Sequence, residues 1–137
     1  MQYKDRFLVR NGICVITGGA GLLGRKHAEA VLEGNGIPVL LDVTESALAE
    51  AKDILLAEYK GAVIETFTVD ITDRTALENV KDSLMKKYGH VDVLINNAAN
   101  NPKVEGGSKN LGSTTFVEFP EDIWNADIAV GLTGTLL

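Results

Sequence analysis

Short unbroken apolar runs alternate along the chain with segments whose apolar positions recur every three or four residues. Ile13-Cys14-Val15-Ile16 is the first run and ends in a cluster of glycines, the mark of a strand buried on both faces of a parallel sheet. Leu22 to Glu33 predicts a helix, closed by Gly34-Asn35-Gly36. Pro38-Val39-Leu40-Leu41-Asp42-Val43 predicts the second strand, with proline at its start, where a missing N–H does least harm. From Ser46 to Tyr59 the stripe Leu48, Ala51, Leu55, Tyr59 predicts a second helix, with Gly61 as its C-terminal stop. Thr66-Phe67-Thr68-Val69 predicts a third strand. Asp73 then stands as the N-cap of a third helix, with Leu77, Val80, Leu84 and Tyr88 on one face. Lys86 and Lys87 complement that helix's C-terminal dipole, and Gly89 ends it. Val91-Asp92-Val93-Leu94-Ile95 predicts the fourth strand.

After Asn97 the periodicity breaks. Residues 100–118 are rich in glycine, serine, threonine and asparagine and read as a long loop, of the length that usually carries function or mobility. Pro120-Glu121-Asp122 opens a last helix, in which Trp124 shares a face with Ile128 and is expected as a core anchor. Three strand–helix units followed by a fourth strand predict a single α/β domain over residues 1–137. Its plan is a doubly wound parallel sheet of Rossmann-like type. The chain stops within an amphipathic pattern at Leu136-Leu137, so the sheet is expected to be incomplete at its C-terminal side.

Composition narrows the function classes. The 137 residues are 45% apolar, which supports a packed core and separates the chain from disordered sequences. A formal net charge of -6 argues against a nucleic-acid partner. No stretch approaches the ~20 apolar residues a membrane helix needs. Met1-Gln2-Tyr3-Lys4-Asp5-Arg6 also lacks the apolar region of a secretion signal, so the cytoplasm is the expected compartment. Cys14, the one cysteine, lies in an apolar strand and reads as a small buried hydrophobe. His27 and His90 have no Cys or carboxylate at metal-ligand spacing, and no metal is expected.

The candidate chemistry lies in Thr17-Gly18-Gly19-Ala20-Gly21-Leu22-Leu23-Gly24, between a buried strand and a helix. Glycines there allow a tight turn and close approach of a pyrophosphate, whose charge meets the N–H groups at the helix start. Asp42 ends the second strand 18 residues after Gly24, where a carboxylate accepts hydrogen bonds from an adenosine ribose. Its charge repels a 2′-phosphate, which favours NAD over NADP. The competing role for Asp42, capping the next helix, is assigned instead to Thr44 or Ser46.

With these motifs the sequence resembles the short-chain dehydrogenase/reductase family over residues 13–137. The resemblance is carried by Thr17–Gly24, Asp70-Ile71, Asn96-Asn97-Ala98-Ala99, and Trp124 followed by Val130-Gly131-Leu132-Thr133-Gly134. It implies an NAD-dependent oxidoreductase passing a hydride between nicotinamide and a carbinol or carbonyl carbon. The cofactor-binding set it implies is Gly18, Gly19, Gly21, Leu22, Leu23, Gly24, Asp42, Val43, Asp70, Ile71, Asn97, Ala98 and Ala99. Asp70 and Ile71 would flank the adenine, and Asn97-Ala98-Ala99 would stabilise the central strand beside the cofactor. The implied partners are a small-molecule substrate and, in the full-length form, further copies of the chain.

Three departures qualify what the resemblance implies. Leu22 stands where the single-domain branch usually has glycine, and the Gly18, Gly21, Gly24 spacing is similar to that of sugar-nucleotide epimerases and dehydratases. Gly131 occupies the position of the family's usual asparagine, keeping its carbonyl but not its side chain. The family's serine, and its tyrosine and lysine four residues apart, would fall after Leu137. Tyr59-Lys60 and Lys87-Tyr88 are adjacent pairs without that spacing, so no catalytic residue is assigned in this chain. The alternatives are an inactive nucleotide-binding remnant and, in a complete protein, an enzyme of surface-glycan biosynthesis.

Overall fold

The computed structural model describes residues 8–100 and 119–137. Most of the long loop expected over 100–118 therefore lies outside the described residues. Four strands, β1 (Ile13–Thr17), β2 (Ile37–Asp42), β3 (Glu65–Thr68) and β4 (Val93–Ile95), form one parallel sheet in the order β3-β2-β1-β4. Helices α1 (Leu22–Glu33), α2 (Glu45–Glu58) and α3 (Arg74–Tyr88) make the crossovers. The predicted doubly wound architecture is the observed one.

The unbroken apolar strands follow from a sheet covered on both sides. Cys14, Ile16 and Leu40 face one way and pack with Ala28 and Val31 of α1 and with Leu48, Ala51 and Leu55 of α2. Their neighbours Ile13, Val15, Val39 and Leu41 face the other way, onto Val80 and Leu84 of α3. Every residue of β1 is buried, so alternation of polar and apolar positions has no place in it. Truncating Ile16 or Leu40, both fully buried, would cost on the order of 2–5 kcal/mol in lost transfer energy and cavity.

Boundaries differ from the sequence-based expectation where backbone pairing decides them. Strand β2 begins at Ile37, whose N–H donates to the Gly12 carbonyl on the β1 side, so the Pro38 nitrogen faces β3. Pairing with β3 starts only at Val39, and the proline therefore costs the sheet no hydrogen bond. Strand β4 starts at Val93 because Asp92 is engaged in closing the sheet's lower end. Its carboxylate accepts from the Ile13 N–H at 2.7 Å and its own N–H donates to the Ile13 carbonyl. The left-handed residue after α1 is Asn35 (φ 59°) and not a glycine. The caps expected of α3 are the observed ones, with Asp73 accepting from the Ala76 N–H at 3.0 Å and Gly89 left-handed at φ 80°. Burial, with a smaller contribution from Asp92, pushes the Cys14 thiol up, as suits an inert core thiol.

Past the 101–118 segment the chain forms α4 (Glu121–Ile128), a π-helical turn (Ala129–Thr133) and a short α5 (Gly134–Leu136). No residue of α4 is buried. Trp124, expected as a core anchor, is 55% exposed. Helical spacing places Trp124 and Ile128 together, but among the described residues no strand lies beyond β4 to receive that face. No described helix is long and apolar enough to cross a membrane.

Glu65 at the start of β3 joins the sheet to α3. One of its oxygens accepts from Lys87 Nζ and from the Tyr88 hydroxyl, each at 2.6 Å. Partial burial pushes this carboxyl up, but the two hydrogen bonds and the Lys87 charge together outweigh it and hold it below the ordinary glutamate range. A depressed folded-state value contributes stability above the unfolded-state value and loses it as pH falls through the folded one. The stability advantage of the native chain over Glu65→Gln should therefore be full at pH 7 and shrink below about pH 4. Urea unfolding of both proteins at pH 7 and pH 3 checks this, and an unchanged gap would contradict it.

Candidate functional site

A cleft of about 450 Å³ opens at the carboxyl ends of the strands, where doubly wound sheets bind ligands. Four segments build it. The β1–α1 loop contributes Gly18, Gly21, Leu22 and Leu23, and the end of β2 contributes Leu41, Asp42 and Val43. Val69, Asp70 and Ile71 follow β3, and Asn97 to Asn100 follow β4. Val130 of the π-helical turn completes the wall.

Gly19 and Gly24, the two other residues singled out in the sequence, lie beneath this surface. A Cβ on Gly19 would meet the Leu40 Cβ at 2.7 Å, and one on Gly24 would drive into the Gly18 carbonyl oxygen. Gly24 thus lets α1 close onto the loop, while Gly19 lets the loop close onto the sheet. Gly18 combines a left-handed backbone (φ 62°) with a Cβ position 3.0 Å from the Ala98 Cα, so it is excluded to other residues twice over.

One cluster of hydrogen bonds lies beneath the cleft, where the ends of β1 and β4 meet. Thr17 Oγ1 accepts from the N–H groups of Asn97 and Ala98, both at 3.0 Å. Asn97 Nδ2 donates back to the carbonyls of Thr17 (2.9 Å) and Gly18 (3.1 Å). The ends of β1 and β4 are thereby locked together, with the glycine loop held at its first residue. The role of Thr17 was not read from the sequence. A hydroxyl closing an otherwise apolar strand was the available signal, because a buried hydroxyl must find partners.

Asp42 is the cleft's half-buried carboxylate. Its Oδ2 accepts from the Ala20 N–H in the glycine loop and its Oδ1 from the Thr44 N–H, each at 3.2 Å. Thr44, not Asp42, is the N-cap residue of α2, although it makes no side-chain capping bond. Each Asp42 oxygen has a second lone pair left for a ligand. Asp70 turns one oxygen inward onto the N–H (2.8 Å) and hydroxyl (2.7 Å) of Thr72. At the head of α1, Gly21 offers no side-chain cap and the first turn holds no acidic residue, so its N–H groups are free for an anion.

No hydroxyl, amine or imidazole side chain is among the described residues lining the cleft. Tyr59 and Tyr88 both pack against helix-covered cores away from it. Desolvation pushes each phenol up, helped by Glu33 at Tyr59 and by Glu65 at Tyr88, away from the range useful for proton transfer near neutral pH. Gly131 lies in the π-helical turn with open space where a Cβ would be, and its carbonyl accepts from the Thr135 hydroxyl at 3.2 Å. The arrangement sets an uncapped helix start beside a half-buried carboxylate, and among the described lining residues the ionisable side chains are the carboxylates of Asp42 and Asp70.

Comparison with known proteins agrees with this geometry. The model of the short chain dehydrogenase family matches residues 12–137. The chain is 31% identical over 122 residues to 3beta-hydroxysteroid dehydrogenase 2 of Eggerthella lenta, covering 89% of this chain and 43% of that protein. It is 30% identical over 124 residues to a short chain dehydrogenase/reductase of Macrophomina phaseolina, covering 90% and 65%. Among solved structures, NAD+-bound xylitol dehydrogenase aligns with a TM-score of 0.77 at 24% identity, covering 93% of this chain and 45% of that one. L-sorbose reductase from Gluconobacter frateurii, complexed with NADPH and L-sorbose, aligns at 0.78 and 21%, covering 95% and 45%. The chain spans about half the length of most of the relatives it matches.

The hydrogen bonds around Thr17 set a stability prediction. Asn97→Ala removes both donors to the Thr17 and Gly18 carbonyls and should cost about 1–3 kcal/mol. Urea unfolding should show a lower midpoint with an unchanged slope. A midpoint equal to that of the native chain would mean that the β1–β4 lock is not where the site's rigidity resides.

Proposed function

This chain belongs to the short-chain dehydrogenase family, and from that premise we propose that it is the dinucleotide-binding part of an NAD-dependent oxidoreductase. The observation that carries the reading is the Asp42 carboxylate, held at the cleft by the Ala20 N–H of the glycine loop. The residues present fit the cofactor. A left-handed Gly18, a Gly24 with no room for a side chain and an uncapped α1 form the cradle a pyrophosphate requires. In this reading Gly18, Gly21, Leu22 and Leu23 surround the pyrophosphate, with Gly19 and Gly24 shaping the loop from beneath. Asp42 and Val43 take the adenosine ribose, Asp70 and Ile71 flank the adenine, and Asn97, Ala98 and Ala99 border the remainder.

When bound, the nicotinamide supplies the hydride acceptor or donor for a carbinol or carbonyl carbon. The part of the described residues is to bind and orient. A small-molecule carbinol or carbonyl compound is the substrate class, and assembly of identical subunits and a cytoplasmic location go with the same reading.

Discrimination between the two nicotinamide cofactors rests on Asp42, since the fold accommodates both: one similar structure holds NAD+ and another NADPH. A carboxylate accepts from the two ribose hydroxyls of NAD, whereas a 2′-phosphate would bring like charge against it. Calorimetric titration of the chain should give tighter binding of NAD+ than of NADP+. Asp42→Ala should weaken NAD+ about tenfold, by loss of charge-assisted hydrogen bonds, and narrow the preference. NADP+ binding as tight as NAD+ to the native chain would overturn the assignment.

A further inference from the structure

The segment from α4 to α5 forms one side of the cleft without a hydrophobic anchor of its own in α4. A polar contact ties α4 to the sheet's upper end: Asn100 Nδ2, just beyond β4, donates to Asp127 Oδ1 at 2.9 Å. At the far end, Gly134 is buried against Ile71, close enough that a Cβ there would lie 2.8 Å from the Ile71 Cγ1. Between these two attachments lies the π-helical turn Ala129–Thr133, and its Val130 lines the cleft. Asn100 and Ile71 are themselves cleft-lining residues. Both attachments therefore run from the wall of the binding site to the same arm.

We propose that Asn100 and Asp127 are a positioning pair that holds the α4–α5 arm against the cleft and so sets the affinity for the dinucleotide. The inference rests on the nicotinamide-dinucleotide reading of that cleft. The pair acts through the arm, because Asp127 is not a cleft-lining residue. An amide donating to a carboxylate is suited to this role, since the bond is directional and the carboxylate strengthens it relative to a neutral pair. Because no residue of α4 is fully buried, loss of this bond leaves the Gly134–Ile71 contact as the attachment of the arm that remains among the described residues. The fold itself should be indifferent, since both side chains lie outside the two cores.

Trp124, the sole tryptophan, stands three residues before Asp127 and reports on the arm directly. In the full chain, Asn100→Asp places two carboxylates together and removes the donor. It should weaken NAD+ binding about fivefold, a modest effect because the pair is exposed. It should also lower the fluorescence anisotropy of Trp124 and leave the thermal midpoint unchanged. Asp127→Ala should do the same. The exchanged pair, Asn100→Asp with Asp127→Asn, restores an amide-to-carboxylate bond in the opposite sense and should recover both affinity and anisotropy. Unchanged NAD+ affinity in Asp127→Ala, whose side chain lies outside the cleft, or failure of the exchanged pair to recover the anisotropy, would overturn the positioning role while leaving the cofactor reading intact. Absence of NAD+ binding by the native chain would instead overturn the cofactor reading, and this inference with it.

Discussion

The site depends on the lock between the upper ends of β1 and β4. Parallel strands end with carbonyl and N–H groups that the ladder no longer satisfies, and in a buried sheet those groups must be paired. Here the Thr17 hydroxyl takes the N–H groups of Asn97 and Ala98 beyond β4, and the Asn97 amide takes the carbonyls of Thr17, which ends β1, and of Gly18 just after it. The same four contacts satisfy the backbone, fix the separation of the two strands and position Gly18 at the mouth of the cleft. Structure and binding surface are set by one cluster.

Around that lock the glycines work by what they leave out. The loop lies flat on the sheet only because Gly19 lets it approach Leu40. The first turn of α1 reaches the loop only because Gly24 does not block the Gly18 carbonyl. The outcome is a helix start at the cleft with no side-chain cap and no acidic residue in its first turn. Asp42 then ties β2 to the loop through Ala20, so the one half-buried carboxylate at the site is oriented before any ligand arrives. Under the cofactor reading proposed above, preorganisation of this kind is what would let the carboxylate discriminate between a ribose diol and a phosphate instead of swinging away from the latter.

The two sides of the cleft are built on different physics. The β1–β3 side rests on two apolar layers packed between sheet and helices, which contribute most of the stability. Among the described residues, the α4–α5 side has no fully buried residue in α4 and is tied to the sheet end by the Asn100–Asp127 hydrogen bond and the Gly134–Ile71 contact. Regions with few buried contacts open most readily. Adaptation to different ligands is therefore expected on the α4–α5 side, with the sheet side as the fixed reference.

The fold and most of the residues that line the cleft were legible because they rest on local signals. Apolar runs bounded by glycine, helical stripes such as Leu48, Ala51 and Leu55, and the Asp73 and Gly89 caps each act within a few residues. A doubly wound sheet is the arrangement that buries all of them. The glycine loop and Asp42 were readable for the same reason, since their spacing is set by one strand–helix–strand unit. The sequence did not disclose which glycines face a ligand and which face protein, because Gly19 and Gly24 are distinguished only by contacts with Leu40 and Gly18. Nor did it disclose that Thr17 would pair with Asn97, some 80 residues away, or that Asn100 would meet Asp127. Trp124 makes the same point in reverse: helical spacing assigns it a face, but burial requires a partner layer, and only the tertiary arrangement decides whether one is there. Sequence by itself determined elements and their order, which are governed by local backbone and hydrophobic forces. Tertiary structure decided the pairings across the sheet, since hydrogen-bond geometry is settled only when distant segments are brought within about 3 Å of one another.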